Sequence, residues 1–179
     1  PIEYDMKYIN QTQINPLAGI TFASGLRAIV RQDPNIILVG EIRDQETADI
    51  SVQAALTGHL VLSSLHTNDS LTTIPRLMDM QVPPFLVAAV LNIAVAQRLV
   101  RKICINCITS YEVSVEQIEA IKLQLEELKL TGIRVPKILY RGIGCPVCGK
   151  IGYKGRVGIF EVLKINQAIR EIIVSPGFS

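Results

Sequence analysis

Residues 36–44 read Ile36-Ile37-Leu38-Val39-Gly40-Glu41-Ile42-Arg43-Asp44. An unbroken aliphatic run of this length, bounded by turn residues, fits a central strand of a parallel sheet covered on both faces. The run ends in a glycine, where the backbone can turn, and then in a carboxylate. In open parallel sheets, ligands sit beyond the carboxyl ends of the strands. Glu41 therefore stands where a nucleotide enzyme holds Mg²⁺ or orients a water. From this stretch alone, a charged residue simply leaving the sheet is the competing reading.

The flanks extend the pattern. Thr21–Gln32 reads as a helix with Thr21 near its N-cap, and Asp33-Pro34-Asn35 as a turn. Asp44–Leu56 has helical spacing at Ala48, Val52 and Ala55, with Asp44 as cap and Gly58 as stop. His59–Leu65 is a second apolar strand that runs into His66-Thr67-Asn68-Asp69, and Thr67–Ser70 reads as the opening of another helix. Strand, helix, strand, helix points to an α/β domain with a parallel sheet. If the two strands are neighbours, Glu41 and His66 line one crevice, where a histidine can meet a terminal phosphate; taken alone, a single histidine is more often structural. Pro83–Ala96 is the most apolar stretch, about 14 residues read as one buried helix and shorter than the roughly 20 that a membrane span needs.

Composition sets the bounds. Hydrophobic residues make up 49% and charged residues 19%, which is globular, and a net charge of +2 is too small to imply nucleic acid. The charge is uneven: residues 1–100 hold 6 Lys/Arg against 9 Asp/Glu, and the remaining 79 hold 12 against 7. With the first cysteine at position 104, that shift puts a boundary near residue 100. The expected layout is a partial nucleotide-binding core over 1–100, a cysteine module over 101–163 and a C-terminal helical segment over 164–179. The N-terminus, Pro-Ile-Glu-Tyr, has no initiator Met and no signal-peptide pattern, and reads as a piece of a longer protein.

The four cysteines form two pairs, Cys104-x-x-Cys107 and Cys145-x-x-Cys148, with 37 residues between them. This spacing fits a zinc site better than two disulfides, and four thiolates close the coordination sphere, so the role is structural. Disulfides and redox-active or iron-bound cysteines are the alternatives. Between the pairs, Ser114–Leu130 reads as an amphipathic helix with Ile118, Ile121, Leu125 and Leu128 on one face and Gly132 as its stop; Ile138–Leu163 reads as small hairpins and Ala168–Val174 as a final helix. A zinc-ribbon nucleic-acid binder is a weaker reading, because the module has few aromatics and a modest positive excess.

The run Ala23–Asp69, ASGLRAIVRQDPNIILVGEIRDQETADISVQAALTGHLVLSSLHTND, resembles the core of the ATPases of type II secretion and type IV pilus assembly. VGEIRDQETA resembles that family's atypical Walker B motif, TGHLVLSSLHTND its His box, and Pro1-Ile2-Glu3-Tyr4 the tail of its Asp box. The likeness continues through Val95–Arg101 into the cysteine pairs and Gly152-Tyr153-x-Gly155-Arg156, nearly the whole chain. The resemblance implies a partial RecA-like P-loop NTPase core, a helical region and a tetracysteine zinc module. It further implies an ATP-driven homohexamer that works with an inner-membrane platform protein at the cytoplasmic face of the bacterial inner membrane, with no transmembrane segment of its own. On it, Glu41 helps to hold Mg²⁺ or the attacking water, Glu3 is the other candidate for polarising that water, and His66 contacts the γ-phosphate. Arg27, Arg31 and Arg43 are candidates for coupling to a neighbour, with surface or ion-pair roles the commoner fate. The tetracysteine module favours assembly over retraction. A P-loop is missing: the one near match, Gly144-Cys-Pro-Val-Cys-Gly149-Lys150, carries Ile151 where Ser or Thr belongs and is a metal knuckle. The expectation is that the P-loop lies upstream and that this chain alone does not hydrolyse ATP. The alternative from another class is a non-hydrolytic, zinc-bearing interaction domain.

Overall fold

The structure, a computed structural model, describes residue 2 and residues 4–177. Glu3 lies outside the described residues. The chain divides into two compact units, residues 1–97 together with 160–179, and residues 98–159.

In the first unit, α1 (Phe22–Val30) begins with a reciprocal cap: Thr21 Oγ1 accepts from Ser24 N at 3.1 Å, and Ser24 Oγ accepts from Thr21 N at 2.9 Å. Its inner face buries Ala23 and Leu26, with Phe22 and Ile29 packed alongside. Strand β1 (Ile36–Val39) pairs in parallel with β2 (Leu60–Ser63), Ile36 opposite Leu60 through Val39 opposite Ser63. Parallel strands need a crossover, and α2 (Gln45–Leu56) supplies it. Asp44 caps α2 by accepting from Thr47 N at 2.8 Å and from Thr47 Oγ1 at 3.1 Å. This satisfies a hydroxyl that is fully buried under the helix. Thr47, Ala48 and Ser51 are small, so α2 lies close on its neighbours.

The expectation of cover on both faces of β1 is corrected. Ile37 and Val39 are buried at 3% and 5%, whereas Leu38 is 73% exposed and Ile36, Leu60 and Leu62 are also exposed. Successive side chains of a strand point to opposite faces, and among the described residues only one face of this two-stranded sheet carries helices.

Two further boundaries differ. The apolar stretch from Pro83 is not one helix: α4 (Pro84–Val90) stops where Leu91 turns extended at φ −75°, ψ 119°, and β3 (Ile93–Ile103) starts two residues on. Ile93 and Val95 are exposed while Ala94 is buried, the period of a strand. Residues 66–72 form a loop, and α3 (Thr73–Asp79) starts later than the polar cluster at 67–70. Asp69 Oδ1 accepts from Thr72 N at 2.8 Å and holds the loop's turn.

The chain returns along β6 (Tyr153–Lys164), which pairs with β3, and ends in α6 (Gln167–Val174), whose Ile173 completes the core with Val87 and Ala88 of α4. Arg170 donates to the Ala88 carbonyl, and to Asn92 Oδ1 at 3.0 Å, so a cation caps the open end of α4.

The second unit joins β4 (Ile108–Glu112) and β5 (Ile138–Gly142) in an antiparallel pair, with α5 (Val115–Glu127) between them in sequence. Ser114 and Gln117 form the cap of α5. Lys129, in the left-handed region at φ 52°, ends that helix, with Leu130 N bonded back to Leu125 O at 2.9 Å; Gly132 lies beyond the stop. Among the described residues no helix is long and apolar enough to cross a membrane.

Candidate functional site

The carboxyl ends of β1 and β2 are laced together by side chains. Ser63 Oγ donates to Val39 O at 2.9 Å, Ser64 Oγ to Gly40 O at 2.7 Å, and Ile42 N to Ser64 O at 3.0 Å. These rungs carry the pairing past the strands and hold the loop after β1 beside the loop after β2. Glu41 and His66 meet there: His66 Nε2 lies 3.1 Å from Glu41 Oε2. Arg43 Nε reaches the same oxygen at 2.6 Å. Both contacts fall on Oε2, so Oε1 makes no hydrogen bond among the described residues. The His66 hydrogen bond, foremost, holds the Glu41 carboxyl below its ordinary range; burial opposes it, and Arg43 adds to the lowering. Glu41 is thus a carboxylate at neutral pH with one oxygen available to a cation or a water.

An open cleft of about 560 Å³ adjoins this pair, lined by His66, Thr67, Asn68, Arg76 and Asp79 among others. Of the other arginines, Arg27 pairs with Glu46 at 2.7 Å between α1 and α2, and Arg31 is exposed at the end of α1. The serine rungs were not read from the sequence; the signal for them is Ser63-Ser64 standing where a strand would otherwise continue aliphatic.

The second unit gathers all four cysteines. Their sulfurs lie within 4.8 Å of one another: Cys104 to Cys145 at 3.9 Å, Cys107 to Cys148 at 3.9 Å and Cys145 to Cys148 at 3.7 Å. Four sulfurs at ~2.3 Å from a common centre in a tetrahedron stand about 3.8 Å apart. The cysteines are free thiols, and these separations are far beyond the ~2.05 Å of a disulfide. Backbone amides support the sulfurs: Cys145 N and Gly152 N donate to Cys148 Sγ at 3.2 and 3.3 Å. The first of these, foremost, draws the Cys148 thiol down to about 6, while burial pushes Cys107 up to about 12. A buried group with one ready thiolate and one reluctant one suits a dication, which stabilises all four in their charged form. The donor set and the sulfur spacing fit zinc.

Two glycines close the base of the loop that carries Cys145 and Cys148. A Cβ on Gly142 would run into the backbone of Gly152, and one on Gly152 into Gly142 O. Gly142→Ala is therefore expected to force residues 142 and 152 apart, opening the Cys145–Cys148 loop, and to cut bound metal to under about half of the wild-type content, read by elemental analysis of the purified chain. Gly25→Ala, in open space on α1, is the control. Full metal loading in Gly142→Ala would show that this closure is not needed.

The fold and site define a class: an α/β unit with a carboxylate and a histidine at the ends of adjacent parallel strands, and a four-cysteine cluster in a second unit. The chain belongs to the Type II/IV secretion system protein family, whose model matches residues 1–177. It is 50% identical over 177 residues to the type II secretion system ATPase E of Vibrio cholerae serotype O1, covering 99% of this chain and 34% of that protein. It is 50% identical over 175 residues to the type IV pilus assembly ATPase PilB of Thermus thermophilus, covering 98% of this chain and 19% of that protein. The crystal structure of the pilus retraction motor PilT with bound ADP superposes with a TM-score of 0.61 at 30% identity, over 97% of this chain and 39% of that one. The ATPase DotB of Yersinia pseudotuberculosis, with a TM-score of 0.61 at 21% identity, shares the fold over 98% of this chain and 36% of that one. The chain thus spans about a third or less of the length of these curated relatives.

Proposed function

We propose that the chain is the Walker B and His-box portion of a RecA-like motor ATPase that drives pseudopilus or pilus assembly. The observation that carries this reading is the Glu41–His66 pair at the carboxyl ends of two adjacent parallel strands, 3.1 Å apart. Phosphoryl transfer needs charge and position more than covalent chemistry. Glu41, ionised, holds the hydrated cation or orients the attacking water through Oε1. His66, exposed beside the cleft, donates to the γ-phosphate. Mg²⁺, when bound with ATP, neutralises the charge that develops on the phosphates. Glu3 is the other acidic candidate for polarising the water. Zinc on Cys104, Cys107, Cys145 and Cys148 is structural, because four thiolates leave no open position.

The working unit is a homohexamer at the cytoplasmic face of the inner membrane, engaged with the membrane platform of its machine. Assembly is favoured over retraction by the tetracysteine module and by the 50% identity to assembly and secretion ATPases. The chain has no G-x-x-x-x-G-K-[ST], so its phosphate cradle comes from sequence outside it. Steady-state ATP turnover tests this: the full-length gene product is expected to hydrolyse ATP, and this 179-residue chain is not. Turnover by the chain alone would overturn the missing-cradle reading. A full-length product that neither binds nor hydrolyses ATP would leave a zinc-bearing interaction domain.

A further inference from the structure

Ser70 follows His66 by four residues in the loop between β2 and α3, and it is only 1% exposed. A hydroxyl buried to that degree must be partnered or cost free energy. Its partner is distant in sequence: Ser70 Oγ donates to Glu161 Oε1 at 2.5 Å, across 91 residues. Glu161 lies on β6, within the first unit. The separation is at the short end of the range for an O–H···O hydrogen bond.

The loop's other polar contacts include local ones. Thr67 Oγ1 donates to Asp69 O at 3.2 Å, and Asp69 Oδ1 accepts from Thr72 N at 2.8 Å. Such bonds shape the turn but move with it. The Ser70–Glu161 bond is different in kind, because it fastens the loop to a strand held in the sheet with β3. His66 itself is exposed and touches Glu41 through a single ring nitrogen, so the ring's placement depends on where the loop is held.

We propose that Glu161 is a positioning residue: it braces the His66 loop through Ser70 and so sets the histidine where it meets substrate. The proposal rests on the reading of His66 as a γ-phosphate ligand. Glutamine at 161 keeps an accepting oxygen, whereas alanine leaves the buried hydroxyl without its partner. Displacing a catalytic group by about 1 Å costs up to about a hundred-fold in rate.

The chain has two histidines, His59 and His66, so the imidazole ¹⁵N signals of both can be assigned by single replacement. In the 179-residue chain, Glu161→Ala and Ser70→Ala are expected to shift or broaden the His66 signals and leave those of His59 in place. Glu161→Gln is expected to keep both at wild-type positions. In the full-length gene product, Glu161→Ala is expected to lower kcat by about ten-fold or more with KM for ATP within about two-fold, and Glu161→Gln to restore it. Unmoved His66 signals in Glu161→Ala would overturn the brace. Signals of both histidines moving together, or no rescue by glutamine, would reduce the contact to general stability and equally overturn it. A full-length wild type without turnover would remove the ATPase reading, while the imidazole spectra would still decide whether Glu161 holds the loop.

Discussion

Glu41→Gln in the full-length protein is expected to leave ATP binding within about three-fold of wild type and to lower kcat by roughly 10²–10⁴-fold, the range for losing a positioned acid–base group. Glutamine keeps the shape of the side chain and can still accept from His66 and Arg43, so the loop after β1 has no reason to collapse. What it removes is the negative charge, and with it the means to hold a hydrated cation or to draw a proton from water. Because His66 and Arg43 hold the Glu41 carboxyl below its ordinary range, the group is ionised across neutral pH and the deficit should persist there. Binding is read by a fluorescent nucleotide and turnover by phosphate release. Near-normal turnover in Glu41→Gln would assign the working carboxylate elsewhere, with Glu3 first in line.

Much of the fold follows from local chemistry, which is why it is legible. Ile36–Val39 is a strand because four aliphatic residues between turn residues have little else to form, and Thr21, Asp44 and Ser114 start helices because their oxygens satisfy amides at the helix ends. The cysteine cluster is legible for a similar reason: each x-x-separated pair sets two sulfurs side by side, and a tetrahedral metal joins two such pairs. Other features depend on partners far along the chain. The break at Leu91 in the apolar run after Pro83 follows from strand pairing with β6, and a run whose one polar residue is Asn92 carries no period that announces it. The bare face of β1, with Leu38 in solvent, is set by which helices pack and not by the residues of the strand. The same holds at the site. Glu41 and His66 are legible from strand-end position, but their meeting depends on strand order, and the Ser70–Glu161 bond joins residues whose separation leaves no local mark.

Removing the metal is expected to unfold residues 98–159 while the first unit stays folded. The argument is one of core size. In that unit, the buried hydrophobic residues among those described are Cys104, Cys107, Cys148 and Val113. One valine is too small a core for a unit of this length, so the four sulfurs and their ion have to act as the core. Binding of a structural zinc is folding free energy in small zinc-binding domains, many of which are unfolded without the ion. The purified chain is expected to hold one zinc per molecule by elemental analysis, with a denatured mass that corresponds to four free thiols. In Cys107→Ser, or after treatment with a strong chelator, zinc should be lost. Amide signals from Cys104 to Gly152 should then collapse into the narrow range of unfolded chain, while those of Val52 and Val87, in the core of the first unit, keep their dispersion. A metal-free chain whose second unit stays well dispersed would show that the β4–β5 pair carries the unit without an ion. A mass short of hydrogens would assign the cysteines to disulfides, against the 3.7–3.9 Å spacing of their sulfurs.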